Sequence, residues 1–164
     1  MYTEPHSGCP INAALEVLGD AWALLVLRDV IFGNRRHFGE LPAKSAEGIS
    51  SNILAGRLKH LVDSGLLIRQ AALRGQRGTY SLAEAGIQTV PVMVALGSWG
   101  LANQPGIPEL RIRAELLRDG GPVLWQRLMD WARSSRSWQL GRPAARKRSV
   151  GRPDARLYES GPRS

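Results

Sequence analysis

The sequence predicts a mainly α fold with one small β-hairpin, an α+β arrangement. Three observations lead there. Apolar residues recur at helical spacing along most of 10–136. Two short β-prone runs, Leu66-Leu67-Ile68 and Thr79-Tyr80-Ser81-Leu82, flank the turn-forming Arg74-Gly75-Gln76-Arg77-Gly78. A nearly all-apolar helical stretch from Ala83 or Glu84 to about Ala102 then follows.

The elements are read in order. Cys9-Pro10 is a helix entry, because the fixed φ of proline suits the first helical position. Ile11, Leu15 and Leu18 make one face of the first helix, and Gly19 ends it. Asp20 caps a second helix that is almost wholly apolar through Leu27 and so belongs in the core, Trp22 included. Phe32-Gly33-Asn34 breaks it. A short third helix covers roughly 37–41 and stops at Pro42, and Lys44–Gly48 is a loop. Ser50 or Ser51 caps a fourth helix over about 52–64. Its face Leu54, Leu58 and Leu61, with Val62 beside it, turns inward, while Asn52, Ala55, Gly56, Lys59 and Asp63 point the other way. Gly65 suits a left-handed terminator. The hairpin then follows, with a basic tip. In the long apolar helix Pro91 predicts a kink. Its Ile87, Val90, Val92, Met93, Val94, Leu96, Trp99 and Leu101 leave hardly any polar face, and a small domain has too little core to cover all sides, so a homodimer interface is expected. Two amphipathic helices, about 108–118 and 122–136, are split by Gly120-Gly121-Pro122.

The expected organisation is a compact part over 1–104, a helical extension over 105–136 and a basic, flexible tail over 137–164. Of the 164 residues 43% are hydrophobic, enough for a real core. Residues 1–10 lack a basic segment followed by an apolar one, and no apolar run nears the roughly 18 residues of a membrane span, so neither a signal peptide nor membrane association is expected. The single cysteine excludes an internal disulfide and a Cys-based zinc cluster, and three scattered histidines argue against a metal site. No nucleophile elbow, phosphate loop or metal motif occurs, so neither an enzyme nor a cofactor is expected. The picture is a small, soluble, cytoplasmic, basic protein.

The 22 basic and 14 acidic residues leave a net +8, unevenly spread. Residues 1–27 carry −3, 28–80 carry +5, 81–140 carry +1 and 141–164 carry +5. Basic clusters attract polyanions through counterion release. A capped helix with a polar outer face, just before a basic hairpin and after three helices, is the element order of a winged helix-turn-helix. Its helix enters the major groove of double-stranded DNA and its hairpin reaches phosphate or minor groove. On that reading Ser50, Ser51, Asn52 and Lys59 meet DNA from the fourth helix, against the plain alternative of a solvated face. Arg57, nearer the buried face, touches phosphate or braces the domain through its aliphatic stem. Arg74 and Arg77 are phosphate contacts or simply exposed turn residues. Arg35 and Arg36, at the start of the third helix, can also touch the DNA backbone.

Cys9-Pro10, Leu15-Glu16-Val17-Leu18-Gly19-Asp20-x-Trp22, Leu25-x-Leu27-Arg28-Asp29, Phe38-Gly39-Glu40-Leu41, Gly48-Ile49-Ser50, Leu54, Arg57-Leu58, Leu61, Gly65-Leu66 and Tyr80-x-Leu82 together resemble the HxlR-type bacterial transcriptional regulators over about 9–103. The resemblance implies a winged-helix homodimer that binds operator DNA. Repression is expected over activation, because occlusion needs no specific polymerase contact. Members of that family include thiol-based sensors with a cysteine at the position of Cys9. The residues themselves leave Cys9 open. It precedes a helix N-terminus, which favours thiolate chemistry, yet it has no second cysteine in the chain to pair with. No feature identifies a small-molecule effector. The family often shows polar residues where this chain has Ala55 and Gly56. These two keep alternatives alive, a winged-helix interaction module or a non-specific DNA-binding protein. The tail repeats Gly-Arg-Pro at 141–143 and 151–153, similar to minor-groove hooks but with Leu140 and Val150 in the preceding position.

Overall fold

The computed structural model describes residues 8–43, 47–70 and 78–139. Within them the order is α1 (Pro10–Leu18), α2 (Ala21–Ile31), α3 (Glu40–Ala43), α4 (Ser51–Asp63), β1 (Leu67–Gln70), β2 (Thr79–Leu82), α5 (Glu84–Ile87), α6 (Val90–Asn103) and α7 (Pro108–Gln139). The chain divides into two compact units, residues 1–30 with 34–86 and residues 31–33 with 87–164. The loop 44–46, the hairpin tip 71–77 with Arg74 and Arg77, and the tail 141–164 lie outside the described residues, as do residues 1–7.

In the first unit, α1 and α2 form as their caps dictate. Cys9 precedes Pro10, and the Gly19 N–H closes α1 on the Leu15 carbonyl at 2.7 Å. The Asp20 carboxylate accepts from the Ala23 N–H at 2.8 Å, satisfying an otherwise orphaned donor of α2. Ala23, Val26, Leu27 and Val30 of α2 are buried, as expected of its apolar sequence, whereas Trp22 is half-buried. The apolar face expected on α1 stays open, with Ile11 72% and Leu15 60% exposed.

The third helix begins later than the sequence suggests and runs through Pro42 instead of stopping there. Pro42 falls in its first turn, where a missing N–H costs nothing. Residues before it serve the sheet. The two strands pair antiparallel, Leu67 opposite Leu82 and Gln70 opposite Thr79. An isolated bridge joins His37 to Thr79, and the Tyr80 N–H donates to the Arg36 carbonyl at 2.8 Å. Glycine is obligatory at Gly86. A Cβ there would collide with the Leu66 carbonyl oxygen, so the chain leaving β2 passes close against the start of β1.

The long apolar helix of the sequence is two helices, α5 at the end of the first unit and α6 in the second. α5 ends at Ile87, a turn covers 88–89, and α6 starts one residue before Pro91. A proline inside a continuous helix would lose one hydrogen bond and press on the carbonyl four residues back, and the chain relieves both by breaking there. The stretch Glu84–Asn103 has a mean hydropathy of 1.3 and is, by length and composition, long enough to cross a membrane, a test that the core helix of a soluble protein also passes. α6 packs on α7, where Gly97 lets the Ala114 Cβ approach to 3.6 Å from the position of its own missing Cβ. Arg111 of α7 donates to the Leu101 carbonyl at 2.9 Å, satisfying a C-terminal acceptor of α6. α7 bends at Gly121 (φ 58°, ψ −164°), just before Pro122, where the sequence places the split between its two last helices. The Trp125 indole N–H donates to the Leu117 carbonyl at 2.6 Å across that bend.

Candidate nucleic-acid interface

The candidate surface is built on α4. Ser50 is its N-cap, with extended backbone (φ −71°, ψ 151°) and a hydroxyl that accepts from the Ile53 N–H at 3.4 Å. Leu54, Leu58 and Leu61 are buried at 0–1% exposure and bolt one face to the core. Ser51, Asn52, Ala55, Gly56 and Lys59 are all exposed on the remaining surface. Ile53 joins them at 40% exposure, an apolar residue that the sequence pattern did not assign to the outer face. The helix is closed by two reciprocal bonds. The Leu66 N–H reaches the Leu61 carbonyl at 2.9 Å and the Gly65 N–H reaches the Val62 carbonyl at 3.0 Å, with Gly65 left-handed at φ 71°. This is a Schellman closure, and it turns the chain directly into β1.

The cations of this unit are not equivalent. Lys59 pairs with Asp63 one turn on, both partners well exposed at 78% and 58%. Such a surface pair is worth little in water, so a phosphate can displace the aspartate readily. Arg57 is turned to Asp20, with Nε 2.7 Å from Oδ1, in an ion pair whose direction is not that of a good hydrogen bond. Arg36 Nε donates to the Asn34 side chain at 2.7 Å, and Asn34 itself is left-handed at φ 51°. Arg35 is spent inward. It meets Asp29 at 2.8 Å, its side chain 12% exposed.

Asp29, 6% exposed, is the hub of a cluster that the sequence did not reveal. It accepts from Arg28 Nε at 3.0 Å and from Arg35 at 2.8 Å. Arg28 in turn forks onto Glu47 with two bonds of 2.5 and 2.9 Å. Burial opposes the Arg28 charge, but the bonds to Glu47 and the field of Asp29 outweigh it and raise the Arg28 pKa above its ordinary value. The cluster ties the end of α2 to the 34–36 segment and to the turn at Glu47-Gly48 that leads into Ser50. The spacing of these residues in sequence, 19 between Arg28 and Glu47, carries no periodic signal that finds such a pairing.

Among the described residues no group of three or more His, Cys, Asp or Glu side chains gathers closely enough to hold a metal ion. Cys9 is exposed.

A two-stranded wing packed after a capped, outward-facing helix, with the preceding helices forming its support, defines a winged helix-turn-helix transcriptional regulator. Residues 17–107 match the HxlR-like helix-turn-helix family, and the chain belongs to that family. The uncharacterized HTH-type transcriptional regulator Rv3095 of Mycobacterium tuberculosis is 37% identical over 109 residues, 65% of this chain and 67% of that protein. The uncharacterized HTH-type transcriptional regulator sll1512 of Synechocystis is 33% identical over 93 residues, 56% of this chain and 67% of that protein. Among solved structures, the crystal structure of PA1607, a proposed transcription factor, superposes with a TM-score of 0.56 at 33% identity, covering 63% of this chain and 70% of that one.

Proposed function

We propose that the protein is a homodimeric repressor that binds a two-half-site operator with α4 in the major groove and the β1–β2 wing on the flanking backbone. The observation that carries this is the division of α4. Leu54, Leu58 and Leu61 commit one face to the core, and the N-terminal turns of the other stand open with Ser51, Asn52 and Lys59. A helix so held presents its first turns to base edges. In this reading Ser50 sets the helix start beside the phosphates, Asn52 reads a base, and Lys59 and Arg36 contact backbone. Arg74 and Arg77 give the wing its phosphate contacts. Arg35, engaged with Asp29, positions the 34–36 segment instead of reaching DNA.

The dimer is supported by α6, on which Val92 is 44%, Leu96 48% and Trp99 60% exposed in the single chain. A second copy covering these residues gives the two-fold symmetry that a pair of half-sites requires. Repression follows from occlusion, which needs no polymerase contact. Cys9, open at the start of α1, is the position where a thiol-directed signal would act.

The test is a titration of the full chain against DNA from its own upstream region and against a scrambled duplex, over a series of salt concentrations. The reading expects a specific site bound at least ~1,000-fold more tightly than the scramble at physiological salt. Equal affinity for both duplexes would establish a non-specific binder, and no binding to either would leave an interaction module.

A further inference from the structure

Arg57 and His60 lie three residues apart on α4 and both reach the corner where α1 turns into α2. Arg57 Nε sits 2.7 Å from Asp20 Oδ1, and His60 Nε2 sits 2.9 Å from the Val17 carbonyl oxygen. Val17 lies in the last turn of α1, and Asp20 follows Gly19 as the cap of α2. The same oxygen, Asp20 Oδ1, accepts from the Ala23 N–H at 2.8 Å. One carboxylate oxygen thus fixes the start of α2 and one edge of α4 at once. The three buried leucines set the depth of α4 in the core, but apolar contact is non-directional and leaves rotation about the helix axis soft. The His60 bond supplies direction, and the Arg57–Asp20 ion pair, which is not a well-directed hydrogen bond, adds a restraint on distance, so the two together restrict that freedom.

We propose that Asp20 and Arg57, supported by His60, form a latch that sets the rotational position of the recognition helix, so that Asp20 governs sequence discrimination without touching DNA. The inference rests on the reading of α4 as the DNA-reading helix, and it makes Arg57 a positioning residue.

The test is a double-mutant cycle in the full chain with Asp20→Asn, Arg57→Met and both together. Asparagine caps a helix as well as aspartate does, so Asp20→Asn removes the ion pair and keeps α2. Arg57→Met keeps the stem and loses the charge. The ratio of specific to non-specific DNA affinity is read for each, with circular dichroism to verify folding. Asp20→Ser, also a good cap, replaces Asp20→Asn if the amide unfolds the corner. The latch predicts that each single variant lowers the ratio by about tenfold and that the double variant lowers it by about tenfold again in total, not a hundredfold, since contacting partners couple. Non-specific affinity should change little in Asp20→Asn. If Asp20→Asn leaves the ratio intact or tightens binding while Arg57→Met weakens binding on every sequence, Arg57 is a phosphate contact and the latch is refuted. Additive losses, or no change in either variant, refute it equally. A wild-type chain without any sequence preference would instead overturn the reading of α4 on which the latch stands.

Discussion

At the scale of single residues the molecule uses its polar groups in two ways. Ser50, Asp20 and Asp29 organise backbone and neighbouring cations, whereas Ser51 and Asn52 stand exposed and Lys59 holds only an exposed pair with Asp63. The first group was legible only where it acts locally. A capping serine or aspartate before an apolar helix is a short-range signal: Asp20 caps α2 as expected, and of the two serines the sequence offers for α4 the cap is Ser50. The Arg28–Asp29–Arg35–Glu47 cluster is a tertiary fact, and Arg35 looked like one more surface cation because nothing local says that its partner is buried. Two predictions belong here. Ser50→Ala removes a side-chain acceptor for the Ile53 N–H and is expected to cost about 1 kcal/mol in urea denaturation. Asp29→Ala leaves the mostly buried Arg35 guanidinium without its carboxylate and is expected to cost about 3–5 kcal/mol, measured the same way. A loss below that of Ser50→Ala would mean that Arg35 finds water or another partner at no cost.

At the scale of elements, glycine and proline decide boundaries, and the sequence is readable where their effect is local. Gly19, Gly65 and the Gly121-Pro122 break fall as the pattern implies. α3 lies later than the pattern implies, because Pro42, which by itself suggests a stop, falls in a first turn, where proline is a start. The kink that Pro91 implies takes the form of a turn at 88–89, just before α6. The bridge between His37 and Thr79 had no sequence signature, since one paired residue has no period. The Schellman closure of α4 gives an element-scale prediction. Gly65→Ala forces a Cβ into the left-handed region at φ 71° and is expected to lower stability by about 1–2 kcal/mol in urea denaturation. It should also loosen the angle at which α4 meets the wing. An unchanged denaturation midpoint would show that the turn relaxes to another conformation without penalty.

At the scale of the whole molecule, the sequence reading of an over-apolar helix needing a partner meets a surface on α6 with Val92, Leu96 and Trp99 open, and a separate open pair on α1, Ile11 and Leu15. Light scattering is expected to give about twice 17.9 kDa. Leu96→Asp, on the open face, should give monomers. Val94→Asp is a different experiment, because Val94 is 3% exposed within one chain and its replacement should unfold the unit. A monodisperse wild-type monomer at micromolar concentration would remove the dimer. The tail, 141–164, carries +5 of the net +8. Deleting it should weaken binding on every duplex and flatten the dependence of log affinity on log salt, while the ratio of specific to non-specific affinity stays where it was. A collapse of that ratio would assign sequence reading to the Gly-Arg-Pro units.

The claim on which the account turns is that the outer face of α4 reads bases, and Asn52 tests it most directly. Asn52 stands on the first turn, exposed, opposite Leu54 and Leu58, so its loss should leave the fold intact. Binding of the full chain to an operator library, with each base pair varied in turn, is compared between wild type and Asn52→Ala. The account predicts that preference at one base pair per half-site relaxes, at a cost of roughly 1–3 kcal/mol on the best operator, and that every other position keeps its order. An identical preference at all positions in a folded Asn52→Ala would contradict it.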